Sequence, residues 1–90
     1  MDRAPQYLEK LMDALDSGLR ERGITAKIEW DRIEGSRMYL VWVVSKAFAN
    51  IPHSMRQALV WRIADETLTY DKLLRLSMIL TLTPTEAGER

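Results

Sequence analysis

Apolar and polar positions recur along this chain with two different periods. Leu8, Leu11, Met12, Leu15 and Leu19 stand at i, i+3, i+4 and i+7 spacing, with Glu9, Lys10, Asp13 and Asp16 turned elsewhere. That pattern predicts an amphipathic helix of roughly four turns, with Pro5 suited to its first turn. Gly18 costs such a helix up to about 1 kcal/mol relative to Ala and is a point of fraying. Gly23, after Arg20 and Arg22, is the stronger stop. The period then shortens to two. Ala26, Ile28 and Trp30 alternate with Lys27, Glu29 and Asp31, the pattern of a strand with one buried and one wet face.

The run Leu40-Val41-Trp42-Val43-Val44-Ser45 is apolar on both faces and reads as a central strand. Met38, Leu40, Trp42 and Val44 form one face; Tyr39, Val41 and Val43 form the other. Directly opposed residues share a face. With Glu34-Gly35-Ser36 as a three-residue loop and Ile33 opposite Arg37, Ile28 falls beside Trp42 and Trp30 beside Leu40. This register makes the even-numbered residues the core set. It leaves Tyr39, Val41 and Val43 outside, next to Lys27, Glu29 and Asp31.

Pro52 opens a second helix that runs to about Leu68, with Val60, Ile63, Ala64 and Thr67 as its inner stripe and Trp61 on a flank. Arg56 falls among the inner residues. Thr69 to Leu74 form a connector with a turn of helix. A third strand follows, in which Leu76, Met78, Leu80 and Leu82 alternate with Ser77, Ile79, Thr81 and Thr83. Thr83-Pro84-Thr85-Glu86 has the form of a capping box. The order helix, strand, strand, helix, strand predicts an α+β fold, a two-layer α-β-β-α-β sandwich over residues 1–90. Its three-stranded mixed sheet carries the helices on one face. The crossover helix makes the third strand parallel to the second.

Ninety residues suffice for one modest core, so a single domain is expected. Thirteen basic against thirteen acidic side chains argue against unassisted binding to a nucleic-acid backbone. Without cysteine there is no disulfide, thiol nucleophile or thiolate metal site. The N-terminus has no apolar signal region, and no apolar run approaches a membrane span, so a soluble cytoplasmic protein is expected. Asp13/Asp16 and Asp65/Glu66 lie on solvent faces of helices, and no glycine-rich phosphate loop is present, so no enzyme activity is expected. His53, in a helical first turn, reads as an exposed surface residue.

The element order, with Val43-Val44-Ser45, Phe48, Arg56, Trp61, Asp65-Glu66-Thr67-Leu68 and Thr81-Leu82-Thr83-Pro84-Thr85-Glu86, resembles the BolA family, whose fold is related to the type II KH domain. The resemblance covers the C-terminal half by motif and the first half by element order. It implies a small regulatory interaction module, and a monothiol glutaredoxin as a partner that shares an iron–sulfur cluster. The implied ligands are not here. Gln57 stands where the family has His after its Arg, Arg75 stands at or near the second His, and the hairpin loop is cut down to Glu34-Gly35-Ser36. His53 alone cannot replace that set, so no cofactor is expected.

What remains is a partner surface. Tyr39, Val41, Val43 and Ile79, bordered by charge, are the candidate partner-binding residues, joined by the basic Arg56 and Arg75. The same face predicts a weak homodimer, with Val41→Lys breaking association and sparing the fold. The alternative is a KH-like nucleic-acid-binding domain. Against it, Ala49-Asn50-Ile51-Pro52-His53 contains no glycine, and Lys46, Arg56, Arg62, Lys72 and Arg75 are dispersed along the chain.

Overall fold

The computed structural model describes residues 3–88. Helix α1 spans Gln6–Arg20, strand β1 Lys27–Arg32 and strand β2 Tyr39–Val44. A 3-10 turn over Lys46–Asn50 leads into α2, His53–Thr67, then the short α3, Tyr70–Leu73, and β3, Leu76–Leu82. The sheet order is β1-β2-β3, with β1 antiparallel and β3 parallel to β2. The fold is therefore α+β with a mixed three-stranded sheet.

Four leucines of α1 (Leu8, Leu11, Leu15 and Leu19) are fully buried, as the 3.6-residue period predicts. The helix does not fray at Gly18. A Cβ at that position would sit 2.9 Å from Ile63 Cδ1 of α2, so the missing side chain lets the two helices approach closely. Gly18→Leu should cost about 1–3 kcal/mol by overpacking, measurable by urea unfolding, despite its better helix propensity. At the far end Gly23 adopts φ +75°, its N–H donating to the Arg20 carbonyl and that of Ile24 to the Leu19 carbonyl. This is a Schellman stop, completed by burial of both Leu19 and Ile24.

The register of the sheet overturns the expected assignment of its faces. Ile28 pairs with Val43, Trp30 with Val41 and Arg32 with Tyr39. The Ile33 amide donates to the Met38 carbonyl at 3.0 Å, so the loop holds four residues, Glu34 to Arg37, rather than three. One extra loop residue moves every β2 side chain to the opposite face. Val41 and Val43 are fully buried and Ile79 is 1% exposed, while Leu40 and Trp42 lie on the outer face. A bulge at Tyr39/Leu40, where Ser77 is the extra residue of β3, lets Leu76, Ile79 and Thr81 all turn inward. Met78 and Leu80 turn outward.

The physical reason is the loop length, since one extra residue reverses which face of β2 meets the helices. The odd-numbered set then places Val41 and Val43 beneath a layer of Leu8, Leu11, Leu15, Leu19, Phe48 and Val60. Of the surface expected for a homodimer, Val41, Val43 and Ile79 are thus the interior of the protein, and Tyr39 is half-buried on the same inner face.

Candidate functional site

Three arrangements could carry function, and the first lies along the free edge of β3. The Leu82 carbonyl accepts from the Ser45 amide of the β2 side, so by alternation the Ile79 and Thr81 carbonyls point away from β2. Both are taken by side chains of α2. Gln57 Nε2 donates to the Ile79 carbonyl at 2.8 Å and to Thr81 Oγ1 at 3.0 Å, while its Oε1 accepts from Trp61 Nε1 at 3.1 Å. Arg56 Nη1 donates to the Thr81 carbonyl at 3.1 Å and to Glu86 Oε1 at 2.8 Å; its Nε donates to the Ile51 carbonyl at 2.8 Å.

Arg56 is 5% exposed, its guanidinium 5.5 Å from the centre of the Phe48 ring. A buried cation with this set of local acceptors is a structural clasp, which corrects its expected role as a partner contact. Its acidic partner belongs to the expected capping box. The Thr83 amide donates to Glu86 Oε1 at 2.8 Å, and the Glu86 amide donates back to Thr83 Oγ1 at 3.1 Å. The Thr83 N–H, and then the Arg56 guanidinium, hold the Glu86 carboxyl below its ordinary value. In residues 84–88 the box closes a turn rather than a helix.

The second arrangement is the outer face of the sheet, which neither long helix covers. Leu40 and Trp42 of β2 and Leu80 of β3 are half-buried there, and Met78 is 47% exposed. Glu29 pairs with Trp42 and Asp31 with Leu40 across the sheet, which puts two carboxylates along one border. Lys27 lies 3.9 Å from Glu29. The Trp42 indole N–H has no hydrogen-bond partner among the described residues, so its polar end is open to solvent.

The third is a cleft of about 270 Å³ lined by Pro5, Tyr7, Arg32, Arg37, Tyr39, Lys72 and Arg75. Residues dispersed in the sequence meet here because β2 runs parallel to β3. The end of the hairpin and the entry to β3 consequently lie at the same end of the sheet. The Tyr39 amide donates to the Arg75 carbonyl at 2.8 Å and ties the two together. Tyr39 is half-buried and stacks edge-on against Tyr7 (6.2 Å) and Trp30 (5.8 Å), while Lys72 Nζ sits 4.9 Å over the Tyr7 ring. Burial, with help from Tyr39 and against a lowering by Arg75, pushes the Tyr7 phenol up, so it remains a hydroxyl donor at neutral pH.

Of the six expected partner residues, then, Val41, Val43 and Ile79 form core, Arg56 forms the clasp, and Tyr39 and Arg75 meet in the cleft. His53 is exposed at the start of α2. Among the described residues no three His, Asp or Glu side chains converge where they could hold a metal ion, and no helix is long and apolar enough to cross a membrane. Sequence reasoning missed Trp42, Gln57, Arg32 and Arg37. For Gln57 a signal existed: a polar residue beside the inner stripe of α2, four positions before a flanking Trp61. No protein-family model, curated protein or solved structure matches the chain.

Proposed function

We propose that the chain is a BolA-like, non-catalytic interaction module that binds a protein partner over the outer face of its sheet. The observation that carries this reading is the uncovered apolar face of Leu40, Trp42, Met78 and Leu80 with Trp42 at its centre. A large amphipathic ring with an unpartnered N–H, flanked by smaller apolar side chains on its own strand and on β3, is the composition of an interface hot spot. The border is net acidic, since Lys27 already lies beside Glu29 and Asp31 adds a further negative charge. The matching partner surface is therefore apolar with a basic fringe.

The test compares wild type with Trp42→Glu. Affinity for the partner recovered from the native host should fall by roughly thirtyfold, the scale of a hot-spot residue. Thermal unfolding should stay cooperative with a modest loss, because the side chain points away from the core and the new carboxylate faces Glu29 across the strands. Equal recovery by both proteins would remove the outer face as the docking surface. Self-association of wild type in sedimentation, lost in Trp42→Glu, would make the occupant a second copy and overturn the foreign partner.

A further inference from the structure

We propose that the cleft between Tyr7, Tyr39, Arg37 and Arg75 binds a phosphate-type dianion, either free phosphate or the terminal group of a small phosphate monoester. The whole chain carries equal numbers of basic and acidic side chains, yet this cleft gathers four cations and, among the described residues, no acid. Asp31, Glu34 and Asp71 come from the same segments and do not line it. Charge segregated in this way is not a solvated average of the surface; it produces a local positive potential that the described residues leave unbalanced.

The donors are also uncommitted. Among the described residues neither Arg37 nor Arg75 makes a side-chain hydrogen bond or ion pair. Arg32 uses its Nε on the Ser36 carbonyl at 3.1 Å, which anchors the side chain and leaves its terminal nitrogens available. Lys72 is positioned by the Tyr7 ring below it. The N-terminal end of α1 borders the cleft through Pro5 and Tyr7 and adds to the same sign of potential.

Stoichiometry selects the ligand class. A carboxylate would balance one cation of four, whereas a phosphate dianion offers two charges and several acceptor oxygens to guanidinium forks and phenol hydroxyls. The volume of about 270 Å³ lies near the lower limit for small-molecule sites. It suits a phosphoryl group with little attached rather than an extended polymer. The tyrosines meet edge-on and Lys72 lies over one ring, so stacking of successive nucleic-acid bases is not the geometry on offer.

The experiment is an NMR titration of the isotope-labelled protein with inorganic phosphate and with adenosine monophosphate. Acetate, chloride at matched ionic strength and a single-stranded oligonucleotide serve as comparators. Both phosphates should shift the amides of Tyr7, Tyr39 and Arg75 saturably. Tighter binding of the monophosphate would make a monoester the ligand, and equal binding would make the phosphoryl group the whole ligand. Arg37→Gln and Arg75→Gln should each weaken binding by about tenfold or more, with Arg62→Gln on α2 unchanged. Neither substitution removes a side-chain hydrogen bond or ion pair within the described residues, and far-UV circular dichroism confirms the fold. Shifts of equal midpoint with acetate or chloride, binding that survives both substitutions, or saturation by the oligonucleotide without the phosphates would each overturn the proposal.

Discussion

Val41→Lys should unfold the protein. Val41 is fully buried on the central strand, opposite Trp30 on one side and Ile79 on the other. With a strand on each flank and the helices above, a lysine there has no path along which to extend its ammonium to water. It must either neutralise in place or force the layers apart. The cost exceeds about 4–5 kcal/mol, the range of uncompensated buried charges. A domain of this size holds only about 5–15 kcal/mol in total. Circular dichroism and urea unfolding of Val41→Lys beside Trp42→Lys give the measurement. The first should show no cooperative native transition at 25 °C or one at much lower urea, the second a transition near that of wild type. The reverse order would restore the even-numbered core.

The next largest effect is expected at Arg56. Arg56→Met keeps much of the apolar stem over Phe48 but removes the donor from the Ile51 and Thr81 carbonyls. At roughly 1–3 kcal/mol for a buried group left unpaired, the loss should come to about 2–4 kcal/mol by urea unfolding at pH 7. The variant should also respond differently to acid. The folded Glu86 carboxyl is held below its ordinary value of 4.5, chiefly by the Thr83 amide and next by Arg56. A depressed carboxyl contributes stability that is present above the unfolded value and disappears as pH falls through the folded one. Wild type should therefore lose stability below pH 4.5 more steeply than Arg56→Met, whose Glu86 keeps the Thr83 hydrogen bond and the weaker pull of His53. Parallel acid profiles would show that the pair is not coupled to folding.

The elements themselves were legible in the sequence because each has its own period. The leucines of α1, the alternation of β1, the Val60-Ile63-Ala64 stripe of α2 and the Thr83–Glu86 box all stand where those patterns place them. The side of the sheet that faces the core was not legible. β2 is apolar on both faces, so its own pattern is silent, and the decision passed to the loop, where three residues and four are equally easy to write. A three-residue loop would put Trp42 inside; the four-residue loop puts Val41 and Val43 there instead. The cleft was hidden for a different reason. Arg32 and Arg37 come from one hairpin and Lys72 and Arg75 from the connector before β3, and only the parallel course of β2 and β3 brings them to one end. In the one-dimensional chain the same cations look dispersed.

The seal that Arg56 and Gln57 place on β3 has a consequence for assembly. A sheet normally has two growth points, one at each edge, and a molecule with both open can add neighbours indefinitely. Here the Ile79 and Thr81 carbonyls are occupied by side chains of the same chain, so that edge offers a neighbouring strand no free acceptor at these two residues. Growth is left to β1, which has no strand beyond it among the described residues. A molecule with a single growth point can add one copy, β1 against β1 across a two-fold axis, and then stops. Edge-on association through β1 therefore ends at two, and regular pairing at β3 first requires Arg56 and Gln57 to release those carbonyls.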